Sequence, residues 1–169
     1  MTVIRQSNRQ RELRDISNAL TTLEGASGGG VSVVFAKGSA TSSVANTTAN
    51  VTWNTPTITD ASVTVSSADI TINEDAVYLF DVTVRTTNNN RTELIIHTEI
   101  DTGGGYTEDT DLITSDYVSR DTDQNTGAVS LHIALDLTDG DKVRFVAEGD
   151  CDGTSTLMTA GTHLRVVKA

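Results

Sequence analysis

The sequence predicts an all-β protein, two packed antiparallel sheets preceded by a short helix, and three observations carry that reading. Among 169 residues there are 28 Thr and 17 Val against a single Pro, and β-branched side chains, stiff at χ1, favour a pleated, half-buried surface. From Val31 onward, short runs of alternating apolar and polar residues recur between polar turns. The first 24 residues instead space their apolar side chains as a helix does.

In that first segment Leu13, Ile16, Leu20 and Leu23 follow one another at intervals of three, four and three, which places them on one stripe of a helix from about Ser7 to Glu24. Arg5, Arg9, Arg11 and Arg14 outnumber Glu12, Asp15 and Glu24 by one, so the head is weakly basic while the rest of the chain holds the acidic excess. The seam is shorter than two heptads and cannot hold a coiled coil by itself. It needs a larger oligomer, a host surface or its own β domain to cover it. The run Gly25-Ala26-Ser27-Gly28-Gly29-Gly30 reads as a flexible tether and favours the first two. The expected organisation is a basic amphipathic helical anchor over residues 1–24, a linker over 25–30 and a β domain over 31–169.

Within the β domain ten segments read as strands: Val31 to Ala36, Asn50 to Trp53, Ala61 to Val65, Asp69 to Ile72, Val77 to Arg85, Glu93 to Asp101, Thr110 to Val118, Ala128 to Leu137, Lys142 to Glu148 and His163 to Val167. Tyr78, Phe80, Val82 and Val84 share one face of the fifth, with Leu79, Asp81, Thr83 and Arg85 on the other. Leu131, Ile133, Leu135 and Leu137 set against His132, Ala134 and Asp136 repeat the device. Asn88-Asn89-Asn90, Gly103-Gly104-Gly105 and Asp139-Gly140 supply turns. Ten short strands satisfy a two-sheet sandwich best.

Composition narrows the function classes. A net charge of −11 argues against nucleic acid, whose phosphates are bound by clustered Lys and Arg. No run approaches the roughly 18 apolar residues of a membrane span, and the N-terminus carries no apolar signal-like stretch, so synthesis in a cytoplasm is expected. Cys151 stands alone between Asp150 and Asp152 and is expected to be an idle thiol.

Tests for chemistry return little. His97, His132 and His163 lie inside strand runs with no nucleophile elbow near them, so no catalytic residue is assigned. Gly103-Gly104-Gly105 separates strands and cannot cradle phosphate at a helix start. Acidic pairs repeat two residues apart at Asp109/Asp111, Asp121/Asp123, Asp139/Asp141 and Asp150/Asp152. Of these, Asp121, Asp123 and Asn125 occupy the first, third and fifth places of a calcium loop. Gly127 comes one place late and His132 replaces the bidentate Glu, so this is no EF-hand, and the expectation is at most a weak calcium site and no other cofactor. The alternative is a solvated acidic surface. Asn46, Asn50 and Asn90 begin Asn-x-Thr triplets that read as turns rather than as glycosylated sites.

Several segments resemble the trimeric jelly rolls of the complement C1q and tumour-necrosis-factor type. Ile70-Thr71-Ile72-Asn73-Glu74-Asp75-Ala76-Val77-Tyr78-Leu79-Phe80 resembles that family's entry into its central strand. Leu137-Thr138-Asp139-Gly140-Asp141-Lys142-Val143 resembles its Leu-x-x-Gly-Asp-x-Val hairpin, and Gly161-Thr162-His163-Leu164-Arg165-Val166-Val167 its closing strand. Ala76 stands where the family usually has Gly, and Met158 where it usually has an aromatic residue. The resemblance covers about Val31 to Ala169 and implies a jelly roll that forms a homotrimer.

An anchor, a joint and a small trimeric knob together resemble the parts of a bacteriophage capsid decoration (cement) protein or head fibre. The expected function is therefore a non-enzymatic structural protein on the virion surface, made in the host cytoplasm. Its expected partners are itself and the major capsid protein or another virion protein, with no nucleic acid and no membrane. Arg5, Arg9, Arg11 and Arg14 would meet capsid carboxylates while Leu13, Ile16, Leu20 and Leu23 supply apolar contact. The alternative is a receptor-binding knob of a head or tail fibre. It would recognise a host-surface glycan through the loops Thr86 to Thr92 and Thr102 to Asp109, with Tyr106 as a stacking platform.

Overall fold

The computed structural model describes residues 33–39, 41–88, 91–119, 126–151 and 153–169. The anchor helix, the Gly-rich linker and the calcium candidates Asp121, Asp123 and Asn125 lie outside the described residues. Ten strands run in the order β1 (Val33–Lys37), β2 (Thr48–Asn50), β3 (Val63–Ser66), β4 (Asp69–Ile72), β5 (Ala76–Asn88), β6 (Thr92–Asp101), β7 (Thr107–Ser119), β8 (Thr126–Leu137), β9 (Lys142–Cys151) and β10 (Ser155–Lys168). One sheet has the order β1-β10-β5-β8 and the other β3-β4-β9-β6-β7, with β2 also paired to β9. Every named pairing is antiparallel. From β4 onward each connection crosses between sheets except β6 to β7, the alternation that makes a jelly roll.

Alternation along the strands builds the core. Tyr78, Phe80, Val82 and Val84 of β5 point inward and are buried, as are Leu94 and Ile96 of β6, Val143, Phe145 and Ala147 of β9, and Leu164 and Val166 of β10. The rings of Phe80 and Phe145 meet edge-on across the two sheets, with centroids 5.9 Å apart. Tyr78 is fully buried and its hydroxyl donates to the Glu74 carbonyl at 2.8 Å, so the ring lies in the core without an orphaned polar atom.

Three expectations are corrected. The second strand runs Thr48–Asn50 rather than Asn50–Trp53: Val51 still donates its amide to the Phe145 carbonyl of β9 at 2.9 Å, but Trp53 bridges to Gly38 instead, and both side chains are buried. The last strand begins at Ser155 rather than His163 and absorbs a register shift between Met158 and His163, where Gly161 adopts φ 86°. The segment Leu137 to Val143 is not a hairpin, since β8 and β9 belong to different sheets. It is an arch, with the Asp141 carboxylate accepting the Thr138 amide and hydroxyl at 2.8 and 3.0 Å, and Gly140 at φ 93°. The arch docks on β4, where the Gly140 amide donates to the Ile72 carbonyl and the Ile72 amide to the Asp141 carbonyl, both at 2.9 Å.

Candidate functional site

The outward face of the first sheet is the surface with the clearest departure from an ordinary solvated face. Strand register sets Val33, Val167, Leu79 and Ala134 side by side across all four strands, with Val77 one pleat away. Leu79 is 45 % and Val77 41 % exposed, and Ile58, which pairs with Phe35 at the β1 edge, is 53 % exposed. The next row is Phe35, Arg165, Asp81 and His132, and the one after it Lys37, His163, Thr83 and Ser130. Asp81 and His132 pair at 3.3 Å, Thr83 and Ser130 share a hydrogen bond at 2.9 Å, and Phe35 stacks on His163 with centroids 6.1 Å apart. The face thus grades from an apolar end to a polar one. Contiguous apolar rows on a sheet face mark contact with another surface more often than isolated exposed residues do.

The second sheet presents a charged face. Arg144 is ion-paired with Glu99, and its guanidinium lies 3.9 Å from the Tyr106 ring centroid. The Tyr106 hydroxyl donates to Asp69 at 2.8 Å, so its phenol is pushed above the ordinary range, first by burial and then by that carboxylate. Tyr106, expected as a free stacking platform, therefore has one ring face occupied by Arg144. Of the predicted glycan loops, Thr86 to Asn88 belong to β5, and residues 89–90 lie outside the described residues.

The remaining candidates have local structural work. His97 bonds Glu108, His132 pairs with Asp81, and His163 Nδ1 lies 3.3 Å from the Gly161 carbonyl. The Cys151 thiol donates to the Gly153 carbonyl at 3.2 Å, and the residue borders a small polar cavity of about 160 Å³ with Arg91, Glu93, Tyr117 and Asp150. The acidic pair at Asp109/Asp111 lies within β7 at its register shift, the Asp111 amide donating to the Asp109 carboxylate at 3.0 Å. Among the described residues no group of three or more His, Cys, Asp or Glu side chains is placed to hold a metal ion. The anchoring residues Arg5, Arg9, Arg11, Leu13, Arg14, Ile16, Leu20 and Leu23 lie outside the described residues.

Two polar partnerships escaped the sequence reading. Asp101 accepts the amides of Gly103 and Gly105 at 2.9 and 2.8 Å, which holds its carboxyl below the usual range. The Asp-x-Gly-Gly-Gly pattern was a usable signal for it. Asn46, at φ 50°, brackets Cys151 by donating to its carbonyl at 2.9 Å and accepting its amide at 3.0 Å. Nothing local marks a partner 105 positions away.

The strand order and crossings define the class: this is a tumour-necrosis-factor-like jelly roll. Among solved structures it is similar to murine APRIL. The APRIL structure at pH 5.0 superposes with a TM-score of 0.63 at 15 % identity, covering 82 % of this chain and 99 % of that one. The structure at pH 8.5 gives 0.61 at 14 % identity with the same coverage. At that identity the likeness is one of fold. No protein-family model matches the sequence, and no curated protein matches it.

Proposed function

We propose that the protein is a non-enzymatic, homotrimeric decoration protein of a bacteriophage capsid, its β domain facing outward and its N-terminal segment gripping the shell. The observation that carries the self-association is the apolar row Val33, Val167, Leu79 and Ala134 with Val77, laid open across the first sheet. A row of this kind loses unfavourable water contact when a second copy covers it, at about 25 cal/mol per Å² of apolar surface removed. The tumour-necrosis-factor-like fold supports three copies around one axis, a closed heterologous arrangement.

The capsid reading rests on the polarity of the chain. A weakly basic amphipathic segment and a Gly-rich joint precede a strongly acidic β body, dividing attachment from display. Assembly would raise the local concentration of three anchors, so that weak individual contacts sum to firm binding. The test has two parts. The native masses of the full chain and of residues 31–169 should both be three times the chain mass, and deletion of residues 1–24 should leave a trimer that no longer binds capsids. A monomeric body overturns the trimer, and undiminished decoration by the truncated trimer overturns the anchor. Adsorption of the truncated trimer to host polysaccharide would instead support the fibre-knob alternative.

A further inference from the structure

On the sheet opposite the apolar face, a cavity of about 160 Å³ is lined by Arg91, Glu93, Tyr117, Asp150 and Cys151. Strand register builds it. Glu93 of β6 stands directly opposite Tyr117 of β7 on one side and Asp150 of β9 on the other, and residues paired in this way across antiparallel strands point to the same face. Their neighbours Thr92, Leu94, Val118 and Cys151 are buried, so the row faces away from the core. Arg91, two positions before Glu93, closes the row, its guanidinium donating to the Tyr117 hydroxyl at 3.0 Å and lying 5.3 Å from the ring centroid.

The backbone under this row is fixed. The β6–β7 ladder shifts register here, since Thr92 faces Ser119 while Glu93 faces Tyr117, which leaves Val118 as an extra residue on an edge strand. A bulge of this kind bends its strand and re-aims the side chains beside it. Val118 turns inward and packs on Gly127 so closely that no Cβ would fit there. Tyr117 is thereby held outward, 41 % exposed.

The lining selects its ligand by chemistry. Arg91 brings donors and no acceptor, while Glu93 and Asp150 bring acceptors and no donor. Ser115 engages one oxygen of Glu93, donating at 2.7 Å. Two carboxylates against one guanidinium leave an excess of negative charge, which repels an anion. An ammonium ion would meet Arg91 at the aromatic ring. Glu93, Asp150 and Cys151 are not placed to hold a metal ion together. An apolar molecule would strip water from three charged groups and return no hydrogen bonds. A neutral sugar meets every requirement, because each hydroxyl both donates and accepts and the C–H face of the ring covers aromatic surface. The volume is that of about five waters at roughly 30 Å³ each, room for one ring rather than for a chain of them.

We propose that this cavity binds one neutral sugar ring, with Glu93 and Asp150 accepting from its hydroxyls, Arg91 donating to them and Tyr117 as the platform. Tyr106, expected in that role, is half-buried with Arg144 3.9 Å from its ring centroid, whereas Arg91 borders Tyr117 at the hydroxyl. The site rests on neither the trimer nor the capsid anchor.

Saturation-transfer NMR of the full chain tests it with the methyl α-pyranosides of glucose, galactose, mannose and N-acetylglucosamine, and with N-acetylneuraminic acid and spermidine as charged controls. At least one neutral glycoside should receive saturation and neither control should. Glu93→Gln and Tyr117→Ala should each weaken that binding about tenfold, the order expected for losing a hydrogen bond to a charged group, with native mass and circular dichroism unchanged. Asp150→Asn gives the same readout if either variant fails to fold. The matching free sugars separate two sources: a glycoside bound as well as its free sugar marks a ring carried on a glycan chain, and a free sugar bound alone marks a soluble one. Saturation of none of the neutral probes, binding undiminished in Glu93→Gln and Tyr117→Ala, or binding of either control in their place overturns the site. The native mass, read on the same samples, keeps that failure distinct from failure of the trimer.

Discussion

Replacing Gly127 by Ala adds one methyl group where β8 of the first sheet closely approaches β7 of the second. Gly127 pairs with Thr86 in the first sheet, while Val118 belongs to β7 in the second. A Cβ on Gly127 would stand 2.3 Å from the Val118 carbonyl oxygen, 2.4 Å from its Cβ and 2.7 Å from its Cα. Ordinary contact begins near 3.4 Å, so the gap must open by about 1 Å, and two of the three obstructing atoms are backbone. No rotamer change relieves that, so the sheets themselves must separate. Overpacking a core typically costs about 1 to 3 kcal/mol, and a clash with backbone belongs at the upper end. The lower entropy of an unfolded Ala chain returns about 0.4 to 1 kcal/mol. The expected net loss is about 2 kcal/mol. Urea unfolding by circular dichroism, at one fixed protein concentration because assembly adds to apparent stability, measures it as a fall in midpoint at unchanged slope. Gly104→Ala is the control, having open space around its Cβ position and no positive φ, and should stay within about 0.5 kcal/mol of the native chain. A Gly127→Ala variant as stable as this control would refute the close approach.

Three further outcomes are expected. Leu79→Lys places a charge in the centre of the apolar row, so the native mass should fall to that of one chain with the circular dichroism spectrum retained, and an unchanged mass counts against this face as the contact surface. Tyr106→Phe removes the hydroxyl bonded to Asp69 and should cost about 1 kcal/mol in urea unfolding. Because the phenol is raised in the folded state, its contribution is complete below the ordinary value of 10.0 and is lost as pH rises through the folded value, so ultraviolet titration of the native chain should contain a phenol ionising above 10.0 that is absent in Tyr106→Phe. Asp101 behaves oppositely: its depressed carboxyl contributes stability above the ordinary value of 3.8 that disappears as pH falls through the folded one. Carboxyl carbon NMR should place its midpoint below 3.8, and a midpoint at or above that value would remove the Gly103 and Gly105 amides as its partners.

Much of the fold was already legible because strands of this kind announce themselves locally. Alternation with period two assigned Tyr78, Phe80, Val82 and Val84 to one face of β5, and the structure buries all four. Paired glycines and aspartates marked the β6–β7 turn and the arch before β9 for the same reason, since a backbone that needs a left-handed residue or an Asx cap shows it in the residue type. The short motifs around Ala76 and Gly140 pointed to the jelly-roll class. Their role as an arch did not follow, because whether two consecutive strands pair or part is settled by the sheet each one joins.

The surfaces divide along the same line. Sequence alone set the alternation that leaves Val77 and Leu79 outward, and the difference in charge between a weakly basic head and an acidic body. Only the folded chain decided that Val33, Val167, Leu79 and Ala134 form one row, since they come from four strands brought together by antiparallel register. It likewise turned Tyr106 from an open aromatic into one capped by Arg144, gave Gly127 a packing role against Val118, and enclosed His97 between two carboxylates. The physical reason is range. Propensity and periodicity act over a few neighbouring residues, whereas close approach, desolvation and the pairing of charges depend on partners that the chain meets only after it has closed on itself.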